Sequence, residues 1–163
     1  MFLKKPDYFY MCGAASEGST PLNAFDKCLL ASGLGNANLI RISSILPPGV
    51  PRSEEISFEL GDFVPTAYAE ITSAIPDEII SAAVSIGIPK DETQNGVIME
   101  YSARGHKEEV EHIVRNMAEE AILYRGQEVK EVLSYAVEHK VKRFGAAFAG
   151  VALWHNIKRT DYK

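Results

Sequence analysis

Hydrophobic positions recur along this chain with two periods, and the shorter one dominates. Residues 38–43, 63–72, 79–88, 96–101 and 129–141 are β-branched, aromatic or alternating runs punctuated by Pro76-Asp77 and Pro89-Lys90-Asp91. Such runs predict strands. Pro65 lacks an N–H, so it predicts an edge or a bulge within 63–72. Residues 144–154 are rich in Ala and Gly and carry Phe148, Val151 and Leu153. Alternate Phe144, Ala146 and Phe148 predict a strand whose small residues let two sheets approach closely.

The longer period appears twice. Thr20-Pro21 supplies an N-cap and an N1 proline, Leu22, Phe25, Leu29 and Leu30 form a stripe, and Gly33 stops the helix. Between 106 and 125, Val110, Ile113, Val114, Met117, Ala121 and Ile122 fall at helical spacing. Glu108, Glu109 and Glu111 sit near the positive end of that helix, and Gly126 closes it. The polar stretch 49–61, with Pro51, Glu54 and Glu55, reads as an exposed excursion. Few helices among several strands, without β–α alternation, give an α+β class with two packed sheets and outer helices. No repeat, low-complexity tract or linker divides the chain, so 1–163 reads as a single domain.

Composition narrows the function more than the fold. The chain has 163 residues, 46% hydrophobic and 24% charged, as in an ordinary globular domain with a sizeable core. A net charge of −5 argues against a nucleic-acid partner and suits a cationic small molecule. Cys12 and Cys28 make no disulfide framework, which fits a reducing cytoplasm. The first ten residues lack the apolar core of a signal peptide, and no apolar run is long enough to span a membrane. His106, His112, His139 and His155 are dispersed without ligand spacing, so no metal site is expected. Gly33-Leu34-Gly35 precedes a strand and is a poor dinucleotide fingerprint. The basic, polar tail 155–163 is expected to fray, and Trp154 to pack near the C-terminus.

The stretch with the most chemistry is Asn38-Leu39-Ile40-Arg41-Ile42-Ser43-Ser44-Ile45-Leu46-Pro47-Pro48-Gly49. A strand runs into two serines and then a stiff turn, which can hold one peptide bond in an unusual geometry. Ser44 Oγ is placed to attack the Ser43 carbonyl and convert the peptide to an ester. Elimination would free the Ser43 carboxylate and leave dehydroalanine at 44. Loss of ammonia then gives a pyruvoyl group. By itself, the dipeptide reads first as two serines hydrogen-bonding a turn, which is the commoner case.

The wider pattern bears on that choice. The chain resembles the pyruvoyl-dependent arginine decarboxylases over nearly its whole length. One strong block is Glu17-Gly18-Ser19-Thr20-Pro21-Leu22-Asn23-Ala24-Phe25-Asp26, and another is Gly35-Asn36-Ala37 together with the stretch from Asn38 to Pro48. Phe63-Val64-Pro65-Thr66-Ala67-Tyr68, Ile88-Pro89-Lys90-Asp91 and Gly96-Val97-Ile98-Met99-Glu100-Tyr101 add to it. Ala136-Val137-Glu138-His139 and Ala152-Leu153-Trp154 are weaker matches.

What the resemblance implies is specific. It implies a four-layer αββα sandwich assembled as homotrimers, with active sites between subunits. It implies cleavage between Ser43 and Ser44 into chains 1–43 and 44–163, and a pyruvoyl group derived from Ser44. That group would form a Schiff base with arginine and release CO2 and agmatine, with neither pyridoxal phosphate nor a metal. Asn38 matches a residue beside the processing site, where its amide could serve a developing oxyanion. Alone, it reads as a strand-start cap. Glu100 matches the proton donor and Asp26 the guanidinium anchor. Alone, they read as a solvated strand residue and an exposed helix residue. Two rivals stay open: a pyruvoyl decarboxylase of another amino acid such as histidine, and an unprocessed, non-enzymatic paralogue.

Overall fold

The computed structural model describes residues 4–156, so most of the tail expected to fray lies outside the described residues. Two sheets stack face to face. The chain order is β1 (Tyr8–Glu17), α1 (Pro21–Ala31), β2 (Asn38–Arg41), β3 (Ile45–Leu46), β4 (Arg52–Ser53), β5 (Phe63–Ser73), β6 (Ile79–Pro89), β7 (Gly96–Arg104), α2 (Lys107–Leu123), β8 (Val129–Lys140) and β9 (Gly145–Trp154). Sheet A runs β2-β5-β9-β1-β4, and sheet B runs β3-β7-β6-β8. Between them lies an apolar layer that includes Phe9, Met11, Val84, Ile86, Ile98 and Val151. Helix α1 covers the outer face of sheet A through Ala24 and Cys28, and α2 covers sheet B through Val110, Val114 and Ile122. The layers are therefore α, β, β, α, as expected.

Several details differ from the pattern-based expectation. β1 was not anticipated, because its second half, Gly13-Ala14-Ala15-Ser16, has no alternation. Ten cross-strand partners on β9 make it a strand nonetheless. In β9 the residues facing sheet B are Ala147, Ala149 and Val151, while Ala146 and Phe148 face α1. The small-residue argument held, but for the opposite face. On α1, Leu22 is 75% and Leu30 52% exposed, so the buried stripe is Ala24 and Cys28 flanked by Phe25 and Leu29. Pro65 sits in an inner strand rather than an edge. It opposes Ile40 one residue before the β5–β9 pairing starts at Thr66, so its missing N–H leaves that ladder intact. The stretch 49–61 is less of an excursion than expected. Arg52 and Ser53 pair with β1, Val50 is buried, and Ile56 and Phe58 pack beneath α1.

Local chemistry sets where α1 starts. Thr20 caps it by accepting a 3.1 Å bond from Asn23 N. A Cβ on Gly18 would stand 2.3 Å from Ala24 N, so only glycine allows β1 to abut the helix so closely. Just before it, the Glu17 carboxylate accepts from the backbone N–H groups of Lys142, Arg143 and Phe144 at 2.8, 3.1 and 3.0 Å. His139 Nε2 lies 2.7 Å away. Burial pushes the Glu17 carboxyl up, but the Lys142 N–H, His139 and the next two N–H groups outweigh it and hold it at about 2.

A carboxyl depressed on folding stabilises the protein above its unfolded pKa, and the benefit is lost as the pH falls through the folded value. Glu17→Gln should therefore lower Tm at neutral pH by about 3–6 °C, the size of one or two lost charge-assisted hydrogen bonds in a chain this long. In thermal melts the gap to the parent should close between pH 4.5 and about 2.

Candidate active site

The two sheets are joined at one edge by the segment that leaves β2 and enters β3. After Arg41 the chain makes one more bond to sheet A, from Ile42 N to Thr66 O at 3.3 Å. It then crosses to sheet B, where Ser44 O accepts a 2.8 Å bond from Ile98 N and Ile45 pairs with Val97. Ser43-Ser44 is the crossing itself.

Ser44 has φ of 75°, a left-handed conformation that a side chain disfavours. The other non-glycine residue with positive φ among the described residues is Asp77, in a turn that aspartate tolerates. Ser43 is exposed and Ser44 half-buried. Ser44 Oγ donates a 3.1 Å hydrogen bond to Glu100 Oε2 on β7. Glu100 is half-buried too, and burial pushes its carboxyl above the usual range. The Ser44 hydrogen bond and the Arg41 charge pull partly against that rise.

The structure thus brings Ser44 and Glu100 together, from positions 56 residues apart. It does not bring Asn38 or Asp26 to them within one chain. Asn38 is at the far end of β2, about 10 Å from Arg41 by strand rise. Its amide Nδ2 donates to Gly61 O at 2.8 Å, so it ties β2 to the start of β5. Asp26 is exposed on α1 and lines an open groove of about 510 Å³ with Glu17, Gly18, Ser19, Asn23 and Lys27.

Sequence reading gave no role to Arg41, Tyr68 or Ser102, although the first two lie inside the matched blocks. The Arg41 guanidinium stands 4.0 Å over the Tyr68 ring and donates to Tyr68 O at 3.1 Å. Ser102 Oγ donates to Glu70 O at 2.9 Å. Their place on the same edge as Ser44 was the missing signal, and it depends on which strands are neighbours. One histidine meets two carboxylates in space. Donor atoms of His106, Glu108 and Glu138 lie within 4.8 Å of one another at the exposed start of α2, in a different layer from the crossing. Glu138 already accepts from Lys107 N at 2.9 Å there.

The double-layered architecture has a structural counterpart in pyruvoyl-dependent histidine decarboxylase at pH 8. The match has a TM-score of 0.51 at 15% identity and covers 61% of this chain and 53% of that one. It shows a shared fold, and this chain spans about half of that structure. Sequence carries the assignment further. A family model for pyruvoyl-dependent arginine decarboxylase matches residues 7–156. Curated relatives with that description include one from Methanocaldococcus jannaschii, 48% identical over 94% of this chain and 93% of the relative. Another is from Pyrococcus abyssi, 40% identical over 91% of this chain and 96% of the relative. The chain belongs to the pyruvoyl-dependent arginine decarboxylase family.

Proposed function

We propose that this protein cleaves its own Ser43–Ser44 bond and that the product decarboxylates L-arginine to agmatine and CO2. The observation that carries this reading is Ser44, at positive φ, with its Oγ on a raised carboxyl. Glu100 in its ionised form accepts the Ser44 hydroxyl proton. Oγ then adds to the Ser43 carbonyl carbon, the C–N bond breaks, and the proton ends on the Ser44 nitrogen. Loss of the Ser44 Cα proton expels the Ser43 carboxylate and leaves dehydroalanine. Water then replaces the nitrogen, which departs as ammonia.

The residues present fit a pyruvoyl group at position 44. Ser44 O is held by Ile98 N, so residue 44 stays on β7 whichever bond before it is cut. The group supplies a ketone that takes the substrate amine and withdraws electrons from its Cα. Glu100, whose carboxyl burial pushes upward, would deliver a proton to that carbon after CO2 leaves. The half-buried position limits water near that proton.

Asp26 is the guanidinium anchor in this reading, since a carboxylate matches the planar fork of arginine. Asp26 and Asn38 are both exposed and both apart from Ser44 within one chain. That supports sites completed by neighbouring copies, and the assembly in this reading is a homotrimer. No helix among the described residues is long and apolar enough to cross a membrane. The setting we infer is cytoplasmic, since Cys12 and Cys28 are free thiols.

Intact mass of the purified protein should give two chains, 1–43 and 44–163, the larger blocked to N-terminal sequencing. The two should co-elute under native conditions, because β1 pairs with β9 and β2 with β5 across the cut. Ser44→Ala should remain one inactive chain; two chains from that variant would name the wrong nucleophile. A single intact chain after long incubation of the parent would point to an unprocessed paralogue.

CO2 release should be faster from arginine than from histidine, lysine or ornithine. Asp26→Asn should lower kcat/KM for arginine about 10- to 100-fold, the worth of a charged hydrogen bond, while leaving cleavage intact. Faster release from histidine would instead transfer the substrate assignment.

A further inference from the structure

The extension of β2 stops just short of the cut. Arg41 pairs with Thr66, and Ile42 N takes Thr66 O at 3.3 Å, so the parallel register with β5 runs on through Ile42. One residue further, that register sets Ser43 level with Tyr68. The same ladder, continued, would give Tyr68 O to the N–H of residue 44. Ser44 instead turns into sheet B, where its own carbonyl goes to Ile98 N. A side chain fills the vacated place. Arg41 Nη1 donates to Tyr68 O at 3.1 Å, with the guanidinium 4.0 Å over the Tyr68 ring. Arg41 therefore leans forward along the strand, to the level of Ser43.

Parity brings the two residues together as well. Positions 41 and 43 of an extended strand share a face and lie about 6.6 Å apart. An arginine side chain is long enough to cover that span. Both residues are exposed. The Tyr68 ring and carbonyl fix the guanidinium. Tyr68 O takes one N–H of a fork that carries several. Among the described residues Arg41 makes no ion pair with a carboxylate within 4.0 Å. The intact chain thus holds a fixed cation with donors to spare beside the bond to be cut.

We propose that Arg41 receives the Ser43 carboxylate as elimination sets it free, drawing the new C-terminus off position 44 toward the Tyr68 side of the crossing. The proposal rests on the self-cleavage given above. In the elimination step the Ser44 Cα proton leaves and the Cβ–Oγ bond breaks. Its electron pair stays on Oγ, which becomes one of the two oxygens of the Ser43 carboxylate. Before cleavage that oxygen lies 3.1 Å from Glu100 Oε2, a neighbour that disfavours a second carboxylate. Asn38 is held at the far end of β2 on Gly61 O, so within the chain it does not meet the new charge. A planar guanidinium matches a carboxylate with parallel N–H···O bonds. The ester itself is uncharged, so Arg41 acts as the ester breaks. Once drawn off, the Ser43 carboxylate no longer competes with the carboxylate of an incoming amino acid at position 44.

The test follows freshly synthesised full-length chain of wild type, Arg41→Met and Arg41→Lys. The ester has the mass of the intact chain, but hydroxylamine splits it into 1–43 as a hydroxamate and 44–163 beginning with serine. The finished large chain is blocked and no longer joined through that ester. Arg41→Met should eliminate about 10-fold more slowly, the lower end for a charged hydrogen bond because both groups are exposed. Hydroxylamine-labile chain should therefore build up in that variant. Arg41→Lys should fall between it and wild type, because the charge remains without the fork. Blocked large chain forming at the wild-type rate in Arg41→Met overturns the proposal. Slow cleavage without a build-up of labile chain overturns it too, since a merely structural role delays the ester as well. Should Arg41→Met fail to fold, a crystal structure of the cleaved wild type decides. A Ser43 carboxylate paired with the guanidinium supports the proposal, and one held elsewhere overturns it. A wild-type chain that never cleaves removes the self-cleavage reading and this proposal with it, whereas a cleaving wild type leaves every other outcome to judge Arg41 alone.

Discussion

The structure turns on a single chain crossing. Four links pass between sheet A and sheet B, namely β2–β3, β3–β4, β5–β6 and β8–β9, and the first is the shortest, at three residues. The backbone has to leave one plane and enter another in that space. The cost appears at Ser44 as a positive φ, worth about 1–2 kcal/mol for a residue with a Cβ. It is met on both sides. Ile42 N holds Thr66 O behind it, and Ile98 N holds Ser44 O ahead of it, with Leu46 buried just beyond. A bond strained and clamped at both ends cannot relax by shifting the strands, so the strain stays where a hydroxyl adjoins a carbonyl.

The same crossing arranges the electrostatics. An edge vacated by a strand exposes carbonyls, and those carbonyls recruit Arg41 and Ser102. Glu100, two residues before Ser102 on β7, is half-buried and its carboxyl is raised by that burial. At the opposite extreme is Glu17, whose carboxylate satisfies three consecutive N–H groups and is pulled down to about 2. Hydrogen-bond supply decides their opposite behaviour. Glu17 is saturated with donors and acts as a staple between β1 and the β8–β9 turn. Glu100 accepts from one hydroxyl, and burial outweighs that bond and the Arg41 charge, so its carboxyl is raised.

Much of the architecture was legible from periodicity. The two helices, the strands at β5 to β9 and the sheet-on-sheet core follow from spacing, caps and breakers. Failures cluster where tertiary context overrode pattern. β1 lacks alternation in its Gly-Ala half yet is zipped to β9 along its length. Leu22 and Leu30 satisfy a helical stripe but face outward, because small Ala24 and Cys28 bring α1 close to Ala146 and Phe148 instead. Cys28 Sγ even reaches Ala146 O at 3.5 Å, a contact that a leucine there would forbid. The two-residue pairing of β4 is too short for any periodicity to announce.

At the site, the order of residues alone determined the family, the Ser43-Ser44 dipeptide and the stiff Pro47-Pro48 turn behind it. Those are local or motif-length features, and a linear string carries them without loss. The partnership of Ser44 with Glu100, the guanidinium on Tyr68 and the separation of Asn38 and Asp26 from both were decided by the tertiary structure. Each depends on which strand lies beside which, and on which face a register turns inward. Period-two patterning names the faces of a strand but not its neighbours. Only the pairing of β2 with β5, and of β3 with β7, places one serine across the gap from one glutamate.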